Sequence, residues 1–197
     1  PSKDWFGRIR ADELLAKVMP ELVSRCGINA GDIDDFIVGC AQAVGEQVTF
    51  GGRFPIFLAN FPETVPAKLV DQQCGSSMAA IHMGFLEIAT ENANIVMVGG
   101  MENMSRVPMG TPTTDAGLAA PNLALFHAPE YRHWDMQTTM NMGLTAQELL
   151  SQTDFTREDM DKWAFRSHQL ASQAAQNGFF DDEIMPVEVE KPDGSSF

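Results

Sequence analysis

The sequence predicts an α/β fold, a parallel sheet with helices on both of its faces. Segments with helical apolar spacing alternate with short apolar runs along residues 11–100, and such alternation implies right-handed crossovers between parallel strands. The run Ile95-Val96-Met97-Val98-Gly99-Gly100 is continuously apolar and short, as a central strand buried on both faces should be. Past Met109 the texture changes to a stretch without a steady period, which closes the alternating region.

The elements follow in order. Residues 11–25 carry Leu14, Leu15, Val18 and Leu22 at helical spacing, with Asp12 and Glu13 suited to a first turn and Gly27 to a stop. Pro20 lies inside that run, so a kink or a late start is expected. Residues 35–41 read as a strand, and residues 47–60 as a second helix interrupted near Pro55. Residues 67–70 form an extended apolar run, and the strand leading to Cys74 is placed over 69–73. In the helix over 78–89 only His82 and Glu87 are strongly polar, so burial on nearly all sides is expected. Gly84 within it costs about 1 kcal/mol relative to alanine, which points to close approach of a neighbour, another helix being the first candidate.

Residues 110–129 are rich in Gly, Pro, Thr and Ala, and a domain boundary is placed near Gly110. Phe126, His127, Tyr131, His133 and Trp134 cluster just beyond, and local packing explains them more simply than a ligand pocket does. The helix over 156–176 is capped by Thr156, with Asp159 in a weaker version of the capping box and Asn177-Gly178 at its end. Met160, Trp163, Ala164, Leu170, Ala171 and Ala174 form its inward stripe.

The segment Gln72-Gln73-Cys74-Gly75-Ser76-Ser77-Met78 places a thiol where an extended run turns into a helix. Unpaired N–H groups of a first helical turn and the positive end of the helix dipole stabilise a thiolate there. The logic is that of a nucleophile elbow with sulfur as the nucleophile, in which Gly75 permits the turn and Ser76 and Ser77 leave room for substrate. The alternative is that Cys74 is an inert small hydrophobe.

Asp71-Gln72-Gln73-Cys74-Gly75-Ser76-Ser77-Met78, followed by Val98-Gly99-Gly100-Met101-Glu102-Asn103-Met104-Ser105-Arg106-Val107-Pro108-Met109, resembles the two signature blocks of the N-terminal half of a thiolase, an acyl-CoA acetyltransferase. Met142-Gly143-Leu144-Thr145-Ala146, Phe165-Arg166-Ser167-His168-Gln169 and Asp182-Glu183-Ile184 continue the similarity in the family's order. The resemblance implies a thiolase-like mixed, mainly parallel sheet with helices on both faces, plus part of a loop domain. It implies an N-terminal thiolase domain over 1–110 whose first strand, expected at the middle of the sheet, is missing, and a partial loop domain over 111–197. The C-terminal thiolase domain would be absent, so that the chain is a fragment or one part of a split enzyme.

The implied reaction is thiolytic cleavage of 3-oxoacyl-CoA, or the reverse Claisen condensation of acetyl-CoA, through an acyl group carried on Cys74. Such chemistry needs a thiolate, a base to create it, an acid/base for the α-carbon and donors for two oxyanions. In the family a histidine, an asparagine and a second cysteine supply the rest from the C-terminal half. His82 lies eight positions from Cys74, about 12 Å along a helix and beyond hydrogen-bond reach, so it reads as a core or interface histidine. His168 belongs to a structural helix, and His127 and His133 have no matching role. Met142 resembles the methionine lining the acyl end of the pocket, with core packing as its alternative, and Asn141 stands where some relatives have histidine. Glu102 and Asn103 read as loop-ordering or turn residues.

A net charge of −14 argues against a nucleic-acid surface. Three cysteines, an odd number, are no disulfide framework, and packing is the expectation for Cys26 and Cys40. No segment is long and apolar enough to span a bilayer, and no signal peptide is visible, so a cytoplasmic setting is expected unless a leader is missing. No metal-ligand spacing or dinucleotide fingerprint is present, so no metal or redox cofactor is expected and CoA enters as substrate. The partners implied are acyl-CoA and acetyl-CoA, a homodimer or homotetramer, and a separate C-terminal half or subunit. Two other readings are a non-catalytic thiolase-like subunit and another condensing enzyme such as a ketoacyl synthase, against which the Gly100-Met101-Glu102-Asn103-Met104-Ser105 block speaks.

Overall fold

The structure, a computed structural model, describes residues 6–109 and 122–189. The chain divides into two compact units, Pro1–Ala119 with Pro186–Phe197, and Ala120–Met185. The boundary expected near Gly110 lies outside the described residues.

The first unit is built on three parallel strands, β1 (Asp35–Gly39), β2 (Ala67–Val70) and β3 (Val96–Gly100), in the order β2-β1-β3. Every residue of β1 is buried, which explains a run without polar alternation. Because β1 is hydrogen-bonded to β2 on one side and to β3 on the other, no further strand fits between them. The expectation of a missing strand at the middle of this sheet is therefore corrected: an additional strand can join only at an outer edge.

Helix α1 (Ala11–Cys26) starts where the Glu13 carboxylate accepts the Arg10 N–H at 3.1 Å, and it ends at Gly27 with φ of 65°. It runs through Pro20 from Ala11, so the late start does not occur. Its inner face carries Leu15 and Met19 into a core with Ile33, Phe36, Val38, Ile56, Val65, Met97 and Met101. Fully burying each such side chain contributes about 1.5–3 kcal/mol.

The second helix differs from expectation. Instead of a helix over 47–60, a 3-10 turn at Gly45–Gln47 leads into left-handed residues Thr49, Phe50, Gly51 and Gly52, and α2 spans only Arg53–Leu58. Gly52 has φ of 88°, and a Cβ there would fall 2.8 Å from Val38 Cγ1, so both conformation and space demand glycine. Pro55 sits in the first turn of α2, where its missing N–H breaks no helical bond.

Helix α3 (Ser76–Ala89) lays Ser76, Ala80 and Gly84 on the sheet. A Cβ on Gly84 would lie 3.0 Å from Val98 Cγ2 and 3.1 Å from Val96 Cγ1, so the close neighbour is strand β3 and not another helix. Burial on nearly all sides does not hold either. A sheet covers one stripe of a helix, and Met78, Ile81, Phe85, Leu86 and Ile88 on the rest of α3 are exposed. Lys68 of β2 pairs with Asp35 of β1 and Glu87 of α3, joining three elements at the end of the sheet opposite Cys74.

The second unit holds α4 (Ala124–His127), α5 (Met136–Met140), α6 (Met142–Ser151) and α7 (Arg157–Gln176). The capping box forms as expected: Thr156 Oγ1 accepts the Asp159 N–H at 3.2 Å while the Asp159 carboxylate accepts the Thr156 N–H at 2.9 Å. The inward stripe of α7 is not buried, with Trp163 67% and Leu170 48% exposed. No described residue of this unit is buried, so its short helices offer no core for that stripe to enter.

Candidate active site

Cys74 stands at the C-terminal edge of the parallel sheet, between the end of β2 and the first turn of α3, and it is exposed. That edge is where ligands bind in open α/β sheets. The turn is closed by short local bonds. The Gly75 N–H donates to Gln72 O at 3.0 Å and the Ser76 N–H to Gln73 O at 3.0 Å, while Ser76 Oγ accepts the Gln72 N–H at 2.8 Å and donates to Gln73 O at 2.6 Å.

The left-handed residue of this turn is Gln73, with φ of 51°, directly before the cysteine. Gly75 has φ of −86° and ψ of 0°, an ordinary conformation. The role expected for Gly75 therefore passes to Gln73, where a non-glycine residue in the left-handed region stores strain. Ser76 is buried with its hydroxyl engaged in the turn, Ser77 beside it is exposed, and both contribute to the lining of the cavity next to Cys74.

Two glycines set the height of α3 over the sheet. Gly39 and Gly100 are register partners at the ends of β1 and β3. A Cβ on Gly39 would fall 2.5 Å from the Ser77 nitrogen, and one on Gly100 would fall 2.2 Å from Ser77 Oγ. The first turn of α3 thus rests directly on backbone, bringing the helix N-terminus and Cys74 to the rim of a cavity of about 690 Å³. Ala41, Gln42, Ser77, Glu102, Met104 and Met109 share that lining with Cys74. The volume suits a ligand of moderate size.

Polar groups behind the cavity are tied together. The Glu102 carboxylate accepts the Ala41 N–H at 2.8 Å and Gln47 Nε2–H at 2.6 Å. Burial, with the Glu102 charge assisting, pushes the Cys40 thiol up to about 11, so it stays protonated and donates toward Glu102 Oε2 at 3.8 Å. Cys40 is thus a buried structural thiol, as expected, whereas Cys26 is exposed on α1 and not packed.

Met142 opens α6 in the second unit and is 69% exposed, which leaves its core-packing alternative unsupported. Asn141 before it caps that helix, its Oδ1 accepting the Gly143 N–H at 3.0 Å and the Leu144 N–H at 3.2 Å. His82 is exposed on α3 and not in the core. Gln47 went unnoticed in the sequence; its one signal is a polar side chain between a glycine turn and an apolar segment, which is too common to single out. Among the described residues, no group of three or more His, Cys, Asp or Glu is placed to hold a metal ion, and no helix is long and apolar enough to cross a membrane.

Cys74 thus lies exposed at the N-terminal turn of α3, over the C-terminal edge of a parallel sheet and in the lining of a cavity. The chain matches the family described as "Thiolase, N-terminal domain" over residues 2–197, and it belongs to that family. It is 38% identical over 190 residues to a 3-ketoacyl-CoA thiolase of Photorhabdus laumondii, covering 96% of this chain and 46% of that protein. It is 40% identical over 188 residues to a 3-ketoacyl-CoA thiolase of Bacillus subtilis, covering 95% of this chain and 45% of the relative. The fold is similar to the crystal structure of the Bacillus anthracis acetyl-CoA acetyltransferase, with a TM-score of 0.77, 29% identity and coverage of 98% of this chain and 49% of that one. The chain thus spans about half the length of the relatives it matches.

Proposed function

We propose that this chain carries the nucleophile of an acyl-CoA C-acyltransferase acting by thiolytic cleavage of 3-oxoacyl-CoA or by the reverse Claisen condensation of acetyl-CoA. The observation that carries the reading is Cys74, exposed at the foot of α3 on the rim of the cavity. In the cleavage direction the Cys74 thiolate attacks the 3-oxo carbon. The bond between C2 and C3 then breaks, its electron pair goes to the α-carbon of the departing acetyl-CoA, and that carbon takes up a proton. The shortened acyl group remains on sulfur as a thioester until a CoA thiol attacks it, releasing acyl-CoA and returning a proton to Cys74. The N-terminal turn of α3 faces the negative charge that develops in both additions. The family resemblance alone proposes Met142 as a substrate-binding residue. The names of the relatives support acyl-CoA substrates.

A second reading, that the chain is inert until it assembles with another polypeptide segment, draws on the cavity's composition. Among its described lining residues Glu102 is the one titratable group besides Cys74, and its carboxylate oxygens are already accepting hydrogen bonds. The proton acceptor for the thiol then comes from a C-terminal thiolase half, and the working unit is a homodimer or homotetramer. Three free cysteines suit a cytoplasmic setting.

The test is a thiolysis assay of the natural full-length protein with 3-oxoacyl-CoA and CoA, beside its Cys74→Ala variant. Activity that the variant lacks supports the reading. Equal rates in both would remove Cys74 from the mechanism.

A further inference from the structure

The ladder between β1 and β3 does not stop where the strands stop. The Met101 N–H donates to Gly39 O at 3.0 Å. One step further, the Glu102 carboxylate takes the Ala41 N–H at 2.8 Å, so a side chain supplies the rung that the backbone no longer makes. Ala41 and Glu102 each lie two residues beyond the glycines on which Ser77 rests.

The other carboxylate oxygen is held as firmly. Gln47, fully buried, donates from Nε2 to Glu102 Oε1 at 2.6 Å and to Gln42 O at 2.7 Å, while its Oε1 accepts the Asn103 N–H at 2.7 Å. Asn103 Nδ2 in turn donates to Phe6 O at 3.0 Å and Ile9 O at 2.9 Å. The Glu102 carboxylate, which also lines the Cys74 cavity, therefore ties the loop after β3 to the loop after β1, with Gln47 as a second link, while Asn103 ties the loop after β3 to the segment before α1.

We propose that Glu102 is a positioning residue for Cys74: its carboxylate clamps the ends of β1 and β3 at the spacing on which the first turn of α3, and hence the nucleophile, is seated. It takes no part in proton transfer. Its effect on acyl transfer rests on the function proposed above, whereas its effect on the Cys74 thiol does not.

Two variants separate position from charge. In Glu102→Gln the new carboxamide offers one acceptor oxygen where three groups now donate, Ala41 N–H, Gln47 Nε2–H and the Cys40 thiol. Gln47 cannot turn around to help, because Asn103 and Gln42 fix its orientation. Glu102→Asp keeps the charge but is one methylene too short to reach both partners. Because Glu102 is exposed, neither change removes core packing, and a thermal melt verifies that both proteins fold.

The full-length protein and both variants are treated with iodoacetamide, and Cys74 labelling is followed by peptide mass mapping. Acyl transfer is measured in parallel. Both variants are expected to label about tenfold more slowly and to lose kcat by about tenfold to a hundredfold, the scale of a misplacement near 1 Å, with KM within about twofold. Faster labelling of Glu102→Gln alone would show that only charge acts, and would overturn the proposal. Unchanged labelling of Glu102→Asp, or a lowered melting temperature with unchanged labelling of the folded protein, would overturn it equally. If neither protein nor variant transfers acyl groups, the functional reading fails while the labelling comparison still decides the clamp.

Discussion

Gly39 and Ser77 meet so closely that a Cβ on the glycine would stand 2.5 Å from the serine's backbone nitrogen. Strand and helix are in backbone contact at the point where the helix presents its N-terminus to the cavity.

Gly39→Ala should therefore act on the site more than on the fold at large. The atoms it would strike are backbone, so α3 must shift, at about 1–3 kcal/mol of overpacking. Chemical denaturation should show that loss, and iodoacetamide labelling of Cys74 should slow. Labelling at the original rate would mean that the contact does not seat Cys74.

The core should respond differently. Phe36 is fully buried in β1 beneath α1, and Phe36→Ala should cost about 3–5 kcal/mol through lost transfer energy and a residual cavity. Urea unfolding measures this directly, and a change below about 1 kcal/mol would contradict the placement of β1 at the centre.

Cys40 predicts a dependence on alkaline pH. Its folded value is raised from an ordinary 9.0 to about 11, chiefly by burial. Between those values the unfolded chain has lost a proton that the folded chain keeps, so stability falls as pH rises through this window. Below it the contribution is fully present. Cys40→Ala should flatten that decline relative to the parent, as followed by denaturation at a series of pH values. An identical decline in both would show that the thiol is not held neutral in the fold.

Asp34 predicts the opposite edge. Its carboxylate accepts the Asn94 N–H at 2.6 Å and the Ile95 N–H at 3.1 Å, and these bonds hold it below its usual 3.8. The stabilisation is present above 3.8 and disappears as pH falls through the lowered folded value. The stability gap between the protein and Asp34→Ala should close on acidification. A gap that stays constant would assign the effect to packing.

Local signals carried much of this structure. β1, β3 and the cap of α7 follow from apolar runs and capping chemistry that act within a few residues, and the thiol at the strand-to-helix junction is legible for the same reason. The shortened α2 was not, because Thr49 and Phe50 adopt left-handed backbone that only their surroundings enforce. The turn at Cys74 shows the same limit: glycine at 75 is the obvious candidate for an unusual conformation, yet Gln73 takes it. Exposure of the apolar flank of α3 was equally hidden, since hydropathy reports what a helix prefers and not what covers it. The Glu102 clamp joins residues 55 and 61 positions apart, a distance that no local pattern records.

The most direct measurement is the intact mass of the natural full-length protein after incubation with acetyl-CoA, followed by mapping of the modified peptide. An acetyl adduct on Cys74 that disappears in Cys74→Ala is the expected result. An unmodified protein, or an adduct that persists in the variant, would contradict the claim that this sulfur carries the acyl group.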